Sequence, residues 1–200
     1  MKKVIDARKM DCPKPVLLTK KALEAGGFSQ LEILVDNKAA RDNVISFLEK
    51  KESPASRIID NDGDFTIYLD NVKPLPGNPQ TDIEQLHPLS GKTVFISSES
   101  IGDGSEELGK KLMKAFTFSL NELQVKPQCL LFMNAGVKLC IEKADTLANL
   151  KKLAEYGTEI LVCGTCLDYF GISNKLAVGK ISNMYDIATH LLTDKGVIKI

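Results

Sequence analysis

Two hundred residues at 44% hydrophobic composition suffice for one large domain or two small ones with packed cores. The 26 basic and 26 acidic residues cancel, no polybasic run occurs and tryptophan is absent, so direct nucleic-acid binding is not expected. No apolar run approaches the roughly 20 residues of a membrane span, and MKKVIDARKM lacks the apolar centre of a signal peptide, so a cytoplasmic protein without a membrane partner is expected.

Residues 2–70 predict the order strand, helix, strand, helix, strand, strand. Val4-Ile5 reads as a short strand, and a helix runs from Pro13 to about Ala25, ended by Gly26-Gly27. Leu31 to Val35 is a second strand. A helix over Ala39–Lys50 lines up Ala40, Val44, Phe47 and Leu48 on one face. Arg57-Ile58-Ile59 and Phe65 to Leu69 flank Asp62-Gly63, a hairpin signal.

Asn71 to Gly91 reads as a linker, since it holds four of the eight prolines and no sustained period. The expected division is therefore 1–70, a linker at 71–91, and 92–200. From Lys92 onward strands and helices alternate. Strands are predicted at Thr93–Ile96, Cys129–Met133, Ile160–Val162 and Val197–Ile200. Helices are predicted from Ser105 to about Leu123, Thr146 to Tyr156 and Met184 to Leu192. Continuous apolar strands between helices imply an α/β domain whose mainly parallel sheet is covered on both faces, a three-layer arrangement.

Five cysteines, an odd number, do not make a complete disulfide framework. In a reducing compartment they are buried, catalytic or metal-bound. Cys12 stands in MDCPKP, immediately before Pro13 and Pro15. Proline is tolerated in a helix only in its first turn, which puts Cys12 at or beside a helix N-terminus. Such an end stabilises an anion, and thiols placed there have pKa values lowered from about 8.5 to roughly 3.5–7.5. Arg8, Lys9 and Lys14 add to this effect and Asp11 opposes it. The alternative is a small residue that merely caps a helix.

Asp6-Ala7 followed by Cys12-Pro13-Lys14-Pro15-Val16 resembles the CPxP motif of the TusA (SirA-like) sulfur carriers. The resemblance implies a small two-layer α+β fold, βαβαββ, over residues 1–70. It also implies that Cys12 accepts sulfur as a persulfide and passes it on.

Cys163-Gly164-Thr165-Cys166 lies at the C-terminal end of a predicted parallel strand, where open α/β sheets place ligands. On a helix the three-residue spacing brings both sulfurs to one face. The pair reads as a redox couple, or as a sulfur-accepting thiol with its resolving partner, or as two small core residues. Half of a zinc site is disfavoured, because no second CxxC exists and His87 and His190 are unsuitably spaced. Gly157 to Cys163, followed by Gly171-Ile172, is similar to the segment around the sulfur-binding cysteine of the DsrE/DsrF-like family. That match falls on Cys163, with Cys166 an addition. Asn134 to Val137 resembles the same family's second-strand loop. Joined TusA-like and DsrE-like halves resemble a sulfurtransferase-like family of selenium metabolism.

Ser97 to Ser105 opens the long helix and reads as a serine-capped connection. It matches neither the Walker nor the GxGxxG pattern. Cys129 starts an apolar strand and reads as core, whereas the loop carrying Cys140 could reach the pocket of Cys163. Asp168 and Tyr169 are further pocket candidates.

The expected chemistry is transfer of a cysteine-bound sulfur or selenium. Cys12 is the carrier, Cys163 the acceptor and Cys166 the resolving thiol, with Pro13, Pro15, Cys140 and Gly164 around them. Thiolate exchange requires no metal and no organic cofactor. The expected donor is of the cysteine desulfurase kind, the acceptor is open, and the DsrE-like resemblance implies a homo-oligomer. A redox-sensing or assembly module, and a thiol–disulfide oxidoreductase using the CxxC pair, are the competing readings.

Overall fold

The computed structural model describes residues 1–72 and 89–200, which fall into two units divided between Ile83 and Glu84. The linker expected over 71–91 lies, apart from its ends, outside the described residues.

In the first unit the elements are β1 (Lys2–Asp6), α1 (Lys14–Ala25), β2 (Gln30–Val35), α2 (Lys38–Lys50), β3 (Arg57–Asn61) and β4 (Asp64–Asp70). The sheet order is β1-β2-β4-β3, with β1 and β2 parallel and the other pairs antiparallel. Residues in β2 and β4 alternate between buried and more exposed, as one covered face requires. Leu31, Ile33 and Val35 stand opposite Leu69, Ile67 and Phe65, and all six are buried. Burying each such side chain is worth about 1.5–3 kcal/mol. Thr19, Ala22 and Leu23 of α1 and Ala40, Val44 and Leu48 of α2 are buried too, so this is a two-layer α+β unit. Asp62 and Gly63, at φ 54° and 96°, make the predicted hairpin turn.

The second unit contains β5 (Thr93–Ile96), α3 (Glu106–Glu122), β6 (Cys129–Phe132), α4 (Leu147–Glu155), β7 (Glu159–Cys163), α5 (Gly164–Tyr169), β8 (Lys180–Ser182), α6 (Met184–Thr193) and β9 (Val197–Lys199). All its strand pairs are parallel, in the order β8-β7-β6-β5-β9. All four residues of β6 and the last four of β7 are buried, the pattern of strands covered on both faces. Strand β8 is missing from the sequence reading. It has three residues with a single apolar one, Ile181, and exists because it pairs with Leu161–Cys163. Among the described residues no helix is long and apolar enough to cross a membrane.

A 3-10 turn over Asn134–Cys140 follows β6 and packs against the end of β5. A Cβ on Gly136 would lie 2.4 Å from the carbonyl oxygen of Ile96. Backbone cannot give way as a side-chain tip does, so Gly136→Ala should destabilise the second unit by about 1–3 kcal/mol. Thermal melts check this, with Gly104→Ala as control, since nothing lies within 4 Å of a Cβ there.

Candidate functional site

Cys12 is exposed, two residues ahead of α1, and its position follows from how the preceding loop is tied down. The Ala7 amide donates to the Leu34 carbonyl at 2.9 Å, and the Lys9 amide to the Asp36 carboxylate at 2.6 Å. Arg8 donates twice to Asp6, at 2.9 and 2.6 Å, and this hydrogen bonding holds the Asp6 pKa down at about 2. Arg8 is thereby committed to Asp6, not to the sulfur.

Helix α1 opens at Pro13 with no side-chain cap, and Pro13 and Pro15 have no N–H to satisfy. Helix α2 begins beside it, its N-cap Asn37 accepting from the Ala40 amide at 2.8 Å. A cavity of ≈ 190 Å³ lies between, lined by Cys12, Pro13, Pro15, Asn37, Ala40 and Asn43 among others. Two helix N-termini therefore face the pocket that holds the thiol, and both favour negative charge. The Asn43 amide donates to the Cys12 sulfur at 3.9 Å, a weak contact from the first turns of α2. Pro13 and Pro15 lie where the motif implied. Asn37 is legible as a cap residue before an alanine-containing helix, but Asn43 carries no sequence signal.

At the second cysteine pair, β6 and β7 are neighbours in register, Phe132 beside Val162. Asn134 and Cys163 therefore leave the sheet at the same C-terminal edge. Cys163 caps α5 and is only 2% exposed, whereas Cys166, one turn on, is half-buried. The Asn134 amide donates to the Cys166 sulfur at 3.1 Å, from a residue held at φ 47°. Burial pushes the Cys166 thiol up, the neighbouring Cys163 thiol pushes the same way, and the Asn134 amide pulls it back. The two thiols are thus neighbours at the start of α5, Cys166 one turn after Cys163. Gly164 lets Ile181 of β8 pack close, since a Cβ there would lie 2.9 Å from the Ile181 side chain.

Cys140 is fully buried in the core of the second unit, and burial pushes its thiol upward. Cys129 is equally buried, its thiol pushed up to about 12 by desolvation first and by the charges of Glu159 and Asp194 next. Ser105 caps α3 by accepting from the Leu108 amide, as its position before the helix predicted. Asp168 accepts from Ser173, and Tyr169 is 84% exposed, its ring edge-on to Phe170. In the native protein iodoacetamide should modify Cys12 fastest, while Cys129 and Cys140 react only on unfolding. Mapping the alkylated peptides checks this order.

The model of the sulfurtransferase TusA family matches residues 3–70, and that of the DsrE/DsrF-like family matches 92–200. No curated protein matches the chain. A SirA-like protein of Desulfitobacterium hafniense is 30% identical, over 34% of this chain and 95% of its own, with TM-score 0.31. The ychN protein of E. coli is 24% identical, over 55% of this chain and 98% of its own, with TM-score 0.39. The chain belongs to the DsrE/DsrF-like family through residues 92–200, is joined there to a sulfurtransferase TusA domain at 3–70, and is sulfurtransferase-like in kind.

Proposed function

We propose that the protein carries and transfers sulfur, or selenium, as a persulfide-type group on cysteine. The observation that supports this most is Cys12, an exposed thiol in a pocket bounded by two helix N-termini, within the stretch that matches the TusA family. The Cys12 thiolate attacks the terminal sulfur of a donor persulfide, R–S–SH. The donor's S–S bond breaks, the donor leaves as R–S⁻, and Cys12 holds –S–SH. Delivery to an acceptor thiolate repeats the exchange. The donor in this reading is of the cysteine desulfurase class.

In the second unit Cys163 is the acceptor. Cys166 thiolate then attacks the inner sulfur of Cys163–S–SH, forming Cys163–S–S–Cys166 and releasing HS⁻. An external thiol reductant resets the pair. Five free cysteines accord with a reducing cytoplasmic setting, and assembly as a homo-oligomer is part of the same reading.

Incubation of the full chain with a cysteine desulfurase and cysteine, followed by alkylation, tests the proposal. The Cys12 peptide should carry one added sulfur. Its absence from every cysteine peptide, with the desulfurase itself loaded, contradicts the reading. A thiol–disulfide oxidoreductase is the second reading, favoured by the placement of Cys166 one turn after Cys163 on α5. It predicts a disulfide between them with no sulfur gained anywhere.

A further inference from the structure

We infer that Cys129, Glu159 and His190 form a binding site for a zinc-class divalent cation, at the N-terminal end of the parallel strands, opposite the CxxC pair. Cys129 is the first residue of β6 and Glu159 the first of β7, and the two are partners in register. Neighbours in register point to the same side of a sheet. Helix α6 contributes His190 from its last turn. The Cys129 sulfur, a Glu159 carboxylate oxygen and a His190 ring nitrogen all lie within 4.8 Å of one another. Glu159 and Cys163 stand at the two ends of β7, about 13 Å apart at strand rise. The cluster is therefore separate from the proposed sulfur site.

The donor set decides the class of cation. Thiolate and imidazole suit zinc and its neighbours, whereas magnesium and calcium demand oxygen ligands. Bonds of about 2.0–2.3 Å in a tetrahedron put ligand atoms roughly 3.3–3.8 Å apart. Closure therefore needs shifts of about 1 Å, which the Glu159 and His190 side chains, 40% and 26% exposed, are free to make.

The surroundings orient the histidine as metal sites do. Its Nε2 faces Glu159 Oε2 at 3.7 Å, and its Nδ1 lies 3.1 Å from Asp194 Oδ2. Asp194 also accepts from the Thr93 hydroxyl, and Thr93 is the partner of Cys129 in register on β5. A carboxylate holding the far nitrogen of a histidine fixes its tautomer and leaves Nε2 to bind metal. Cys129 thiolate and Glu159 carboxylate together balance a dication. Water fills the fourth position, and the Cys129 proton passes to solvent. Bound metal would tie α6 to β6 and β7.

Cobalt titration of the full chain tests the site, with Cys12, Cys163 and Cys166 replaced by serine so that the proposed sulfur-transfer thiols do not compete. One equivalent should produce a thiolate-to-cobalt charge-transfer band that zinc abolishes, and zinc should raise the melting temperature. Cys129→Ser should remove the band. His190→Gln and Glu159→Gln should each weaken binding at least about tenfold, and Asp194→Asn about 10–100-fold. Because Cys129 is buried, His190→Gln decides the matter if Cys129→Ser fails to fold. No charge-transfer band, or one that His190→Gln leaves at full affinity, overturns the inference.

Discussion

Replacing Cys12 with serine should abolish sulfur loading of the N-terminal unit while leaving its fold intact. The loss is complete because Cys12 is the only cysteine between residues 1 and 128, so no second thiol there can accept the group. The fold survives because Cys12 is exposed and outside the buried core of Ile33, Val44, Phe65 and their neighbours. Its one side-chain hydrogen bond among the described residues is the long one from Asn43. Surface substitutions of this kind stay within about 0.5 kcal/mol. Circular dichroism and a melt establish the fold, and peptide mapping after exposure to a persulfide donor establishes the loading. A wild-type Cys12 peptide that gains no sulfur from a donor shown to be charged would refute the role given to Cys12.

In the second unit, Cys166→Ser should lengthen the life of a persulfide on Cys163 by about tenfold or more, because it removes an intramolecular attack. Cys163→Ser should prevent loading there altogether. The pH dependence has a definite sign. Burial and Cys163 hold the Cys166 thiol above its ordinary range, so its thiolate, the attacking form, gains population only as pH rises into the alkaline region. Loss of sulfur from wild type should therefore accelerate with rising pH, and much less so in Cys166→Ser. Mass spectrometry without reductant follows both. Equal lifetimes remove the resolving role, and sulfur found on Cys166 but never on Cys163 reverses the order of the pair. The greater exposure of Cys166 makes that second comparison informative.

Where a pattern is local, it was legible in the sequence. The alternation in Leu31–Val35 and Phe65–Leu69 signals a sheet with one covered face, and the solid apolar run at Cys129–Phe132 signals one covered on both. Pro13 and Pro15 mark a helix start because proline geometry tolerates little else. Strand β8 was not legible, since its existence depends on the partner β7 rather than on its own three residues. The same reason hid the contacts that finish the sites. Asn43 reaches Cys12, and the Asn134 amide reaches Cys166, across some thirty residues of chain. By spacing to the CxxC alone, His190 is unsuitable as a ligand. The fold sets it instead beside Cys129 and Glu159, at the N-terminal end of the strands.

The central claim, that this chain carries sulfur covalently, is tested most directly by the intact mass of the wild-type protein. The protein is incubated with a cysteine desulfurase and cysteine, without reductant, and weighed before and after dithiothreitol. The predicted result is a gain of whole sulfur atoms that dithiothreitol removes and that Cys12→Ser diminishes. An unchanged mass, or the loss of two hydrogens alone, would contradict it.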